Sequence, residues 1–151
     1  MTLIQLLLVI VLTDTTPAYE QLAVDHFFES LVSQKYPDLK SVELATKTDT
    51  SIHFGIVYNC TQWDEKTKKE ISTLSTDAPK ELKLPESSIP IKNIRDRSGR
   101  LKIYVSSRKK IGDSYVVKIM AYRKLRFVDH FFYQFDNNGR LIGSCEQSEI
   151  I

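Results

Sequence analysis

The sequence lacks the motifs that usually announce a chemistry. It holds no phosphate-cradling glycine loop, no Gly-x-Ser-x-Gly and no His-Glu-x-x-His, so the sequence signatures of nucleotide binding, serine hydrolysis and zinc proteolysis are missing. No cofactor is expected. Only two cysteines are present, Cys60 and Cys145, too few for a disulfide framework in a chain of this size. Neither has a Cys or His at metal-ligand spacing, so no metal site is expected. The two form a candidate disulfide, with two separate thiols as the alternative, since spacing alone does not show whether their Cα atoms approach. No internal repeat or low-complexity tract occurs. At 151 residues, with 42% hydrophobic and 26% charged residues, the composition suits one globular domain with a real core.

Long apolar runs are also absent. The longest, Leu3–Leu12, covers ten positions, half of what a bilayer span requires. It matches the apolar core of a secretory signal, with Thr16-Pro17-Ala18 as a small-residue cleavage site, although no Lys or Arg precedes it. The expectation is a signal peptide over 1–18, a single domain over 19–151, and a secreted or periplasmic location. The alternative is a buried N-terminal segment of a cytoplasmic protein.

The spacing predicts a helix over 17–36, with Thr16 as N-cap and Pro17 in the first turn. Val24, Phe27, Phe28, Leu31 and Val32 form its apolar face, and Pro37 stops it. Strands are expected at 41–46 and 52–58, the latter from the alternation of Ile52, Phe54, Ile56 and Tyr58 with more polar neighbours. A short helix bearing Trp63, Ile71 and Leu74 precedes an irregular crossing broken by Pro79, Pro85 and Pro90. A meander follows: Leu101–Val105, a central Tyr115–Arg123 that is apolar on both faces, Phe127–Phe135, and Leu141–Gln147 after an Asn138-Gly139 hairpin turn. The fold class is therefore α+β, a long N-terminal helix on a curled antiparallel sheet of five to six strands.

Two features could carry function. Phe127, Asp129, Phe131, Tyr133 and Phe135 share one strand face, which places a carboxylate among aromatics. Desolvation there would raise its pKa and suit it to proton transfer. The bland reading is a carboxylate that reaches solvent or pairs with a basic neighbour. His130 points to the opposite face and cannot join Asp129 in a dyad. The second feature is charge: residues 92–126 hold twelve basic and two acidic residues, a net +10 against −8 for the rest. Such a segment, with Arg108, Lys109 and Lys110 at its centre, suits a polyanion or acidic partner. Equally, it suits a solvated sheet face. The sequon Asn59-Cys60-Thr61 fits N-glycosylation in a glycosylating host.

The helix around Val24–Val32 and the meander Leu101–Gln147 resemble the architecture of the cystatin-like and nuclear-transport-factor-2-like superfamily. That resemblance implies a cone enclosing an apolar pocket. Some members resemble ketosteroid isomerases or polyketide cyclases, and Asp129 is the one position to which their acidic role could transfer. Others are binding or dimerisation modules. The cystatin inhibitor's Gln-x-Val-x-Gly loop is absent. The leading expectation is a non-enzymatic binding module for a polyanion, an acidic partner or a small apolar ligand, with a homodimer among the candidate assemblies. Its binding residues would be Arg108, Lys109, Lys110, Phe127, Phe131 and Tyr133. The alternatives are a pocket enzyme with Asp129 as general base, and an inhibitor or immunity protein.

Overall fold

In the computed structural model the described residues are 16–30, 32–94, 101–123 and 126–151. They form an α+β fold around a single mixed sheet. Of the expected leader over 1–18, residues 1–15 lie outside the described residues. Within the helix expected over 17–36 the described residues form α1 (Tyr19–Ser30) and α2 (Val32–Lys35). Pro17 stands just outside α1, whose first intrahelical bond runs from Leu22 N to Ala18 O. Ala23, Val24, Phe27, Phe28 and Val32 are buried, as the helical spacing requires; Leu31 is outside the described residues. Glu20 is a charged residue on the inner side of α1. It is buried, and its carboxylate accepts a hydrogen bond from the Arg108 backbone N–H at 3.1 Å.

The strands are β1 (Val42–Leu44), β2 (Ile91–Asn93), β3 (Leu101–Val105), β4 (Lys109–Ile111), β5 (Ser114–Arg123), β6 (Phe127–Phe135) and β7 (Leu141–Ile150). Their order is β2-β1-β3-β5-β6-β7, with β4 also pairing β5. The expected antiparallel sheet of five to six strands is thus a mixed sheet of seven. β1 pairs in parallel with both β2 and β3. The long segment between β1 and β2 supplies the crossover that a parallel pair needs. β5 has paired strands on both sides, the interior place its two apolar faces demand. β3 and β4 run along the same side of β5, interrupted at Ser106–Arg108. There the Ser106 hydroxyl accepts from Lys118 N at 2.9 Å and keeps the ladder satisfied.

The strand expected at 52–58 is absent; Gly55–Asn59 is a 3₁₀ helix. Val57 is its buried residue, flanked by the buried caps Phe54 and Cys60, a spacing of three that matches the 3₁₀ turn. The short helix is α3 (Glu65–Thr73), N-capped by Asp64, whose carboxylate accepts from Thr67 N at 2.7 Å. Ile71 is buried on it, Leu74 is exposed, and Trp63 precedes it.

Two apolar clusters sandwich the sheet. One lies between α1–α2 and the face bearing Ile103, Val117, Ile119, Phe131 and Tyr133. The other packs Phe54, Val57 and Ile71 on Val116 and Phe132. The disulfide Cys60–Cys145 joins this second layer to β7, with 6.0 Å between Cα atoms and a sequence separation of 85. The β6–β7 connection is a loop from Asp136 to Arg140 rather than a two-residue turn. Asp136 Oδ1 accepts from Asn138 N and Arg140 N, and Gly139 takes φ 81°.

Candidate functional site

The face of β6 beneath α1 carries the residues singled out in the sequence. Asp129 is wholly buried there, but it is not an isolated carboxylate. Tyr36, just past α2, donates its hydroxyl to Oδ2 at 2.6 Å. Ser148 of β7 donates to Oδ1 at 2.5 Å. Arg123, at the end of β5, brings Nη2 to 3.1 Å from Oδ1. Its Nε lies 2.7 Å from Oδ2 as a charge contact without hydrogen-bond alignment. Lys35 Nζ stands 3.8 Å from Oδ1 and also pairs with Glu146.

Burial alone would push the Asp129 carboxyl up. The hydrogen bonds from Ser148 and Tyr36, helped by the charges of Lys35 and Arg123, outweigh it and hold the group below its usual range. The expected upward shift is therefore reversed. Burial and the same carboxylate push the Tyr36 hydroxyl far up. Asp129 is an anionic anchor for two helix-end residues and two strands.

Phe131 and Tyr133, on the same face, also line an open cleft of about 280 Å³. His26 and Ser30 of α1, Ser144 and Glu146 of β7, and Gln62 also line it. The His26 ring meets the Tyr133 ring edge-on at 5.4 Å between centroids. Phe131 takes the Phe27 ring at 5.0 Å on one side and the Lys35 ammonium at 5.0 Å on another. Tyr133 is 2% exposed, yet its hydroxyl is buried with no hydrogen-bond partner among the described residues. Buried hydroxyls are rarely left so. Phe127, expected to join this lining, is 44% exposed at the strand's start, with the Arg123 guanidinium 5.4 Å from its ring.

The basic segment does not form one free surface. Arg108 pairs with Asp77 at 2.7 Å, donates to Pro17 O at 3.3 Å and lies over the rings of Tyr19 and Tyr115. Lys109 is buried: its ammonium donates to Ile71 O at 2.7 Å and sits 3.9 Å from the Phe54 ring. Lys118 is buried on the same face and donates to His53 O. Burial pushes both ammonium groups down to about 8. Of the expected central triplet only Lys110 is exposed. Arg95, Arg97, Arg100 and Lys124 lie outside the described residues.

His130 faces away from Asp129, as the alternation requires. Its Nε2 is 2.7 Å from Glu149 Oε1, and burial together with Lys118 pushes its pKa down. The described residues contain no cluster of His, Cys, Asp and Glu able to hold a metal ion. Sequence reasoning missed Tyr36, Arg123 and Ser148 as partners of Asp129, and it missed the cleft walls. One signal was available: counting outward from Asn138-Gly139 puts Ser148 opposite Asp129, the register observed. Nothing in the sequence brings Tyr36 there, because that contact spans 93 residues between a helix end and a strand. No family model, curated protein or solved structure matches the chain.

Proposed function

We propose that the protein is an exported, non-enzymatic binding module whose ligand is a small molecule with an apolar body and one polar end. The observation that carries this reading is the cleft between α1 and β7 lined by Phe131 and Tyr133, together with a Tyr133 hydroxyl that is buried and has no hydrogen-bond partner among the described residues. A buried hydroxyl without a partner costs stability unless a ligand or water completes it. The Phe131 and Tyr133 rings offer apolar contact, and the seryl, amide and carboxylate groups offer orientation. The volume, about 280 Å³, is at the small end of ligand sites. The cone of the nuclear-transport-factor-2-like architecture would place a pocket under its helix in the same way.

The pocket-enzyme alternative is the weaker reading. A general base must be free to take a proton near neutral pH, and Asp129 is held anionic with both oxygens engaged. A polyanion site loses support from the internal use of Arg108, Lys109 and Lys118. Export is favoured by the disulfide, which persists in oxidising compartments.

Phenol serves as a probe, since it carries an aromatic body and one hydroxyl. Saturation-transfer NMR is expected to detect it on the wild type and to lose the signal in Ser144→Trp, which fills the cleft. Tyr133→Phe should weaken the signal about fivefold, one ordinary hydrogen bond. Equal signals in wild type and Ser144→Trp would remove the cleft from the account.

A further inference from the structure

We infer that Asn59 is the acceptor of an N-linked glycan. The sequon is Asn59-Cys60-Thr61, and its three side chains are placed in two opposite environments. Asn59 ends the 3₁₀ helix and is exposed, and Thr61 is exposed too, whereas Cys60 between them is fully buried. Neither the Asn59 amide nor the Thr61 hydroxyl is engaged by another described residue. Asn59 serves the fold through its backbone: its carbonyl accepts from Gln147 Nε2 at 3.2 Å. The side-chain amide is therefore free to be derivatised without disturbing a packed contact.

The disulfide would close this site if it formed first, because it ties the middle residue of the sequon to β7. Chain order prevents that. Cys145 lies 85 residues after Cys60, so the sequon emerges and stays untethered while the intervening chain is still being made. Transfer then precedes closure. In that step the Asn59 side-chain nitrogen attacks the anomeric carbon of a lipid-linked oligosaccharide pyrophosphate. The new bond is C–N, and the bond broken is the sugar C–O to the pyrophosphate, which departs on its lipid. The amide proton is lost to a base of the transferase. The sugar class is thus the glycan of a lipid-pyrophosphate donor, and the compartment is the one that also oxidises Cys60 and Cys145.

The inference rests on the export part of the proposed function, and the test separates the two. The full chain is expressed in mammalian secretory cells, once with its own N-terminus and once with residues 1–18 replaced by a proven signal peptide. Treatment with peptide N-glycosidase F should lower the mass and convert Asn59 to aspartate in the chain with the proven signal. Thr61→Ser should keep the glycan, while Thr61→Ala and Asn59→Gln should lose it. Cys145→Ser should keep it as well, read on total cell protein so that poor secretion does not mask the result. A glycan only with the proven signal sustains the acceptor site and overturns export by the native leader. Unmodified Asn59 in secreted protein from that same chain overturns the inference, and loss of the glycan in Cys145→Ser overturns the order of events.

Discussion

At the scale of single residues, the buried charges divide into satisfied and costly. Asp129 is satisfied: its removal leaves Tyr36 without an acceptor and Arg123 without its counter-charge. Asp129→Asn is expected to lower stability by about 3–5 kcal/mol at pH 7, the usual result of breaking a buried pair on one side, measured by urea denaturation. The sign with pH follows from the depressed pKa. Its stabilisation is present above the unfolded carboxyl value, near 4, and is lost as pH falls through the lower folded value. The gap between wild type and Asp129→Asn should therefore narrow in acid.

Lys109 and Lys118 are the costly pair. With folded values of about 8 against 10.5 for a solvated lysine, each favours the folded state above the unfolded value and loses that stability as pH falls towards 8. Raising pH from about 8 to about 9.5 should thus stabilise the wild type, and Lys118→Met should flatten the slope. A pH-independent difference between the two proteins would show that Lys118 does not titrate in this range. Tyr36 and Tyr133, whose hydroxyls are pushed up, act in the opposite sense above pH 10, which sets the upper limit of the test.

At the scale of elements, the disulfide adds a covalent tie to a layer otherwise held by a small apolar cluster and by hydrogen bonds from Lys109, Lys118 and Gln147. The 3₁₀ helix and α3 rest on β4, Val116 and Phe132 through few large side chains. Opening Cys60–Cys145 by paired serine substitution should cost about 4 kcal/mol, the loop-closure value for a separation of this length, measured as a shift in the urea midpoint. This layer was also the least legible part of the sequence. Ile52, Phe54, Ile56 and Tyr58 alternate as a strand would, but burial follows Phe54, Val57 and Cys60. Two periods overlap in that stretch, and the disulfide with its packing on Phe132 selects the period of three. The meander was readable because its strands are longer: β5 and β6 run ten and nine residues, mostly buried on both faces, as near-continuous apolar runs.

At the scale of the whole molecule, part of the basic segment is spent inside the fold. Arg108, Lys109, Lys118 and Arg123 each meet an internal acceptor, a ring or a carboxylate. Formal charge counts residues without showing which are solvated, and so the basic segment looked like a surface. A strand at 41–46 was legible and β1 lies within it, but β2 and its parallel pairing with β1 were hidden, since three residues at 91–93 carry no readable period and the pairing is set by the long crossover. The α+β class was legible from α1 and the meander. The cleft was not, because its walls come from α1, β6, β7 and the loop at Gln62, brought together only by tertiary packing. The central claim is that this cleft receives the ligand. Its most direct test is an amide-resolved NMR titration of the full protein with phenol. The account predicts shifts grouped at Ser30, Gln62, Ser144 and Glu146, and their disappearance in Ser144→Trp. Shifts confined to Lys102–Lys110, or none at any probe concentration, would contradict it.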